Sequence, residues 1–166
     1  KYKPNKADYI TYSYIFKNKL INKKIKITKD LMRLIGYYLA EGHITKSIHQ
    51  TGFTFNVNET KYSDNCRTLL RRLTKRHISE RKPNGGSLQL IIHSKEWYYF
   101  LDTFCGKGAR NKKLPDFVWR LPKKYFLELL KTYIRGDGYK NSRTILVIKS
   151  VLISPSLFKY LTETNK

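Results

Sequence analysis

Two segments of this 166-residue chain end in an acid followed by glycine. The first is Leu34-Ile35-Gly36-Tyr37-Tyr38-Leu39-Ala40-Glu41-Gly42 and the second is Leu130-Lys131-Thr132-Tyr133-Ile134-Arg135-Gly136-Asp137-Gly138. Each places small residues four apart, Gly36 and Ala40 in one, Thr132 and Gly136 in the other. Positions i and i+4 share a helix face, so each segment presents a strip of little bulk on which a second helix can approach closely. Two such helices packed strip to strip bring Glu41 and Asp137 together at one end. Each acid then sits at a helix C-terminus, where the macrodipole disfavours negative charge by about 0.3–1 kcal/mol, and the neighbouring carboxylate adds repulsion. A divalent cation reverses both penalties. Mg²⁺ takes carboxylate oxygens and completes its shell with phosphate and water; it can position an attacking water and stabilise a leaving oxygen. Either acid alone reads equally well as a solvated helix-end residue. The matched pair reads as a packed site, because an interior helix glycine costs about 1 kcal/mol relative to alanine.

The partner class follows from charge. There are 34 Lys and Arg against 12 Asp and Glu, a formal net charge of +22. Such a surface favours a polyanion, since each phosphate neutralised releases condensed counterions. No apolar run reaches the roughly 18–20 residues that span a bilayer, so no membrane partner is expected. Hydrophobic residues make up 40% of the chain, enough for a real core. Cys66 and Cys105 are too far apart for a zinc site or a disulfide framework, and both read as reduced thiols in a cytoplasmic setting. No signal peptide is evident, and a start at Lys1 rather than Met reads as a fragment or a processed product.

The elements that must position the acids can be read along the chain. Residues 1–27 form a Lys-, Tyr- and Asn-rich arm or the edge of a flanking domain, with a short strand over Tyr9-Ile10-Thr11-Tyr12. Thr28 is an N-cap with Asp30 in the first turn of a helix over 29–41, and Gly42 suits the C′ position. A hairpin over 44–58 turns around Thr51-Gly52, with Phe53, Phe55 and Val57 on one face. A helix over 61–74 turns Leu69, Leu70 and Leu73 inward. A second hairpin pairs 77–81 with 88–93 through Pro83-Asn84-Gly85-Gly86, and Ser94 caps a helix that Gly106 ends. A basic connector leads past Trp119, in a short helical segment, to Pro122 at the first position of the helix that ends in Asp137. One strand over 144–150 and a helix capped by Ser154 follow. The fold class expected is α+β. Residues 28–110 make an αββαββα half, and residues 111–166 begin a second half that stops partway, to be completed by a missing segment or a second chain.

The two segments resemble the paired LAGLIDADG motifs of homing endonucleases, most closely the endonuclease domains carried in inteins and archaeal introns. Asn58-Glu59 before a helix, the connector Lys107-Gly108-Ala109-Arg110-Asn111-Lys112-Lys113-Leu114-Pro115, and the repeated element order extend the likeness over roughly residues 28–160. The acids lie 96 positions apart. The resemblance implies two pseudo-twofold halves packed through helices at Gly36, Ala40, Thr132 and Gly136, and antiparallel sheets forming a saddle on double-stranded DNA. It also implies Mg²⁺ or another divalent cation at Glu41 and Asp137, beside Ala40 and Gly136, with one strand cut near each carboxylate. A basic residue near the scissile phosphate is expected, and Lys95 is the candidate. On the polar strand face Gln50, Thr54, Asn56, Arg81 and Gln89 suit base edges, while Lys46, Lys112 and Lys113 suit phosphates. Ordinary solvated strand or loop residues are the competing reading for each. A catalytically weak or inactive binder of the same fold, an RNA maturase or a DNA-binding regulator, is the alternative function. With no leading Cys or Ser nucleophile and no terminal His-Asn pair, the chain is not expected to splice by itself.

Overall fold

The computed structural model describes residues 9–83 and 85–136. Asp137, the expected strand over 144–150 and the helix after Ser154 lie outside the described residues.

The arm is a β-ribbon rather than one short strand. β1 (Tyr9–Phe16) pairs antiparallel with β2 (Lys19–Lys26) along its whole length. Lys17 and Asn18 turn the ribbon with φ of 47° and 61°. Positive φ at both central residues is the type I′ geometry that matches strand twist. The turn carries no glycine, so its sequence signal is weak. Ile10 and Tyr12 alternate inward and are buried. Tyr12 donates its hydroxyl to the Glu96 carbonyl at 2.8 Å, and Tyr14 stacks on Tyr99 with centroids 4.3 Å apart. These interactions fasten the ribbon to α3 (Lys95–Cys105).

α1 (Lys29–Glu41) begins as expected, with the Thr28 side chain accepting from the Leu31 N–H. Eight of its residues are buried, on every side. A helix apolar all round belongs at the centre of a domain, and α1 is covered by the sheet, α2 (Thr60–Thr74), α3 and α4 (Lys123–Gly136). Gly42 is not a left-handed C′ residue. Its φ is −82° and ψ 151°, and it opens β3 (Gly42–Thr45) directly. Glycine is needed there for space, since a Cβ would lie 2.6 Å from the Tyr38 Cα and carbonyl oxygen.

The sheet runs β3-β4-β6-β5, antiparallel throughout, from β4 (Gln50–Asn56), β5 (Ser79–Arg81) and β6 (Ser87–His93). The first turn lies at residues 46–49, not at Thr51-Gly52, which are inside β4. His49, at φ 46°, supplies a left-handed residue in this turn. Phe53, Phe55, Leu88, Leu90 and Ile92 face the helices and are buried. Val57 falls beyond the strand end and is exposed. The order α1-β3-β4-α2-β5-β6-α3 is the expected αββαββα. A 3₁₀ turn (Asp116–Arg120) carries Trp119, and Pro122 precedes α4 by one residue. No helix among the described residues is long and apolar enough to cross a membrane.

Candidate functional site

α1 and α4 meet along the two strips of small residues. A Cβ at Gly36 would collide with the Thr132 hydroxyl and the Leu129 carbonyl oxygen, so α4 lies against bare backbone at that point. The Thr132 hydroxyl reaches the Arg33 carbonyl across the crossing at 3.0 Å and Leu129's own at 2.9 Å. One turn on, a Cβ at Gly136 would lie 2.6 Å from the Ala40 Cβ, 2.7 Å from the Tyr62 hydroxyl and 3.3 Å from Glu41 Oε1. Glu41's carboxylate therefore abuts the residue that precedes Asp137 in the chain. Further bonds lock this geometry. Arg33 Nε donates to Glu128 Oε2 at 2.7 Å and holds that carboxyl below the usual range. The Tyr62 hydroxyl donates to the Thr132 carbonyl. Burial, and then the neighbouring Tyr37 and Glu41, push the Tyr62 phenol well above its ordinary pKa, so it stays a neutral donor.

Lys112 is a second polar group at this end of α1. It comes from the connector, and its ammonium donates to the Leu39 carbonyl at 3.3 Å while lying 5.2 Å from the centre of the Tyr38 ring. It satisfies one of the carbonyls that a helix leaves unpaired at its C-terminus. Burial lowers its pKa and the Glu41 carboxylate works in the opposite direction. His43, the second residue of β3, packs its ring on Gly52 of β4, where a side chain would collide with it. Burial first, and Lys112 second, lower its pKa, which favours the neutral imidazole. Glu41, half-buried, thus faces a neutral phenol, an ammonium and the bare end of α4.

The expected basic partner, Lys95, is placed elsewhere. Its ammonium lies 3.3 Å from the centre of the Phe16 ring at the tip of the ribbon, beside the β3–β4 turn, whereas Glu41 precedes the other end of β3. Lys112, marked in the sequence only as a connector lysine, takes the position by the carboxylate. Its signal was its place in the basic run 107–115, but nothing local said where that run would fold. Tyr62 and His43 carried no spacing signal at all.

The register places Gln50, Thr54, Asn56, Arg81 and Gln89 on the sheet face away from the helices. Thr54, Gln89 and Arg81 form one cross-strand row, and Asn56 and Arg81 are exposed. Gln50 departs from the expected exposed position: only 9% of it is accessible. Lys46 is exposed in the β3–β4 turn, and Lys113 is exposed with its N–H bound to the Cys105 carbonyl at 2.8 Å. Burial pushes the Cys66 and Cys105 thiols up, so neither is a ready nucleophile or ligand.

Among the described residues no three His, Cys, Asp or Glu side chains cluster as a metal cage. Mg²⁺ does not require one, because it uses one or two carboxylates with substrate phosphate and water. Glu41 at the crossing fits as one of these.

No protein-family model matches the chain. It is similar to an uncharacterized protein of Methanocaldococcus jannaschii, 34% identical over 131 residues, which is 74% of this chain and 14% of that protein. It is 29% identical over 164 residues to an iron–sulfur cluster assembly SufBD family protein of Mycobacterium tuberculosis, covering 95% of this chain and 19% of that one. It is 32% identical over 146 residues to a DNA polymerase of Thermococcus kodakarensis, covering 85% and 8%. The chain spans less than a fifth of the length of each of these relatives.

Proposed function

We propose that this chain is a LAGLIDADG-type, site-specific endonuclease of double-stranded DNA, the kind carried as an insert in unrelated host proteins. The observation that carries the reading is the α1–α4 crossing, where four small residues let two helices touch and set the Glu41 carboxylate against Gly136. The net charge of +22 and the polar row Thr54–Gln89–Arg81 support a DNA partner. Recurrence of one segment in a polymerase and a SufBD-family protein, as a small part of each, is what a mobile insert would produce.

On this reading α1 to α3 form one half and α4 opens a second, related by a pseudo-twofold axis through the crossing. Glu41 and Asp137 would hold Mg²⁺, with Ala40 and Gly136 beside them. The bound ion supplies an activated water and a Lewis acid for the leaving oxygen. The chain's own groups do the rest. Lys112 sets a cation beside Glu41, where charge develops on the phosphate under attack. Tyr62 and Thr132 fix α4 against α2 and α1. Thr54, Asn56, Arg81 and Gln89 meet base edges in the major groove, and Lys46 and Lys113 meet phosphates. The test selects a cleaved site from a randomised duplex library and then compares variants on it. Glu41→Gln and Asp137→Asn should each retain binding and lose double-strand cleavage. Wild-type cleavage by either variant would remove that acid from the mechanism.

A further inference from the structure

A second polar cleft, of about 390 Å³, lies between the β1–β2 ribbon and the end of the sheet. Its cations come from three places: Lys23 on β2, Arg76 after α2 and Lys95 at the start of α3, with the His93 ring at the end of β6 beside them. The acid among its lining residues is Glu96, paired with Lys23 at 3.6 Å, which leaves Arg76 and Lys95 uncompensated within the cleft. The start of α3 is already capped by Ser94, so these side chains rather than the helix end give the cleft its charge. The cleft is continuous with the polar sheet face, since His93 stands opposite Gln50 in the register. The ribbon that forms its wall carries Lys17, Lys19, Lys23, Lys24 and Lys26 and has no acid between Tyr9 and Thr28.

We propose that this cleft holds backbone phosphate of the same duplex that crosses the sheet, making the N-terminal ribbon a gripping arm that lengthens the DNA footprint beyond the αββαββα unit. The proposal rests on the DNA-binding part of the reading above and is independent of cleavage. A sheet face reads bases, whereas this cleft presents ammonium and guanidinium groups without an extended row of amide side chains. It should therefore contribute affinity without sequence preference.

The experiment measures binding of the full chain to a fluorescein-labelled duplex of random sequence, about 40 base pairs long, in EDTA, between about 50 and 300 mM KCl, a range over which phosphate-driven affinity falls steeply. The variant is Lys23→Gln/Arg76→Gln/Lys95→Gln. A control that removes the same charge from the helical side is Arg71→Gln/Lys123→Gln/Lys124→Gln. Thermal melts verify that both are folded. The cleft variant should bind at least about tenfold more weakly at about 100 mM KCl. Its plot of log K against log salt should be shallower by about 0.9 for each phosphate it no longer neutralises, roughly one to two units in all. The control should stay within about threefold of wild type, the residual being its share of the long-range field. A cleft variant indistinguishable from the control overturns the arm, as does a wild-type chain that does not bind duplex. If Lys46→Gln/Arg81→Gln weakens binding while the cleft variant does not, the arm fails and the sheet reading stands. If the cleft variant behaves as expected but Mg²⁺ never produces cleavage, the arm stands and the nuclease reading fails.

Discussion

Replacing Gly36 with alanine should destabilise this protein, although the same change in an open helix stabilises it. Intrinsic propensity favours alanine by about 1 kcal/mol. Against this, the new Cβ meets the Leu129 carbonyl oxygen, which is backbone and cannot rotate away, and the Thr132 hydroxyl. Overpacking of this kind costs about 1–3 kcal/mol. Displacing Thr132 also breaks its 3.0 Å bond to the Arg33 carbonyl, worth about 0.5–1.5 kcal/mol. The net is a loss of about 2 kcal/mol, and at this chain length that lowers Tm by about 4–8 °C. Thermal and urea unfolding of wild type, Gly36→Ala and Gly36→Ala/Thr132→Ala measure it. The double variant should recover only part of the loss, because Leu129 still blocks the Cβ. If Gly36→Ala instead raises Tm by about 2–4 °C, the helices are not in backbone contact. Glu41 would then not lie beside Gly136.

Other expectations follow from single groups. Thr51 is 1% exposed and its hydroxyl has no hydrogen-bond partner among the described residues; Thr51→Val should stabilise by about 1 kcal/mol, since it removes an unpaired buried polar group, and an equal or lower Tm would contradict that. The folded-state pKa of His43 is lowered, so the unfolded chain takes up its proton first and stability falls as pH drops below about 6.5. His43→Gln should lose less stability between about pH 7.5 and 5 in urea titrations, and an unchanged pH dependence would show that the ring is not penalised by burial. Protonated Lys112 is likewise a net cost to the fold, its pKa being lowered. Stability should rise with pH between that lowered value and about 10.4, where the unfolded chain binds more protons. Lys112→Met should flatten that rise and cut more slowly by about 10²-fold or more, the scale of losing one electrostatic stabiliser. Cleavage at the wild-type rate would remove Lys112 from the site.

Local chemistry made much of the first half legible. Thr28 and Ser94 cap the helices they were expected to cap, and Gly106 ends α3 at φ 71°. The spacing of Gly36, Ala40, Thr132 and Gly136 gave the crossing, because a stripe with no bulk has few other uses. What was not legible depended on distant partners. Glycine suits turns, so Thr51-Gly52 reads as one; the reason for Gly52 is the His43 ring on the neighbouring strand. Lys17-Asn18 is an uncommon I′ pair, so the sequence marks only a short part of the ribbon. Lys95 and Lys112 are alike in sequence, and only tertiary structure sends one to Phe16 and the other to Leu39 and Tyr38.

The proposed endonuclease activity depends on Mg²⁺ held by Glu41 and Asp137. The most direct measurement incubates the purified chain with supercoiled plasmid carrying a site selected from the randomised library, with Mg²⁺ and with EDTA. Linear plasmid cut at one position is expected with Mg²⁺, and intact plasmid with EDTA. Plasmid that is bound yet remains supercoiled in Mg²⁺ would contradict it.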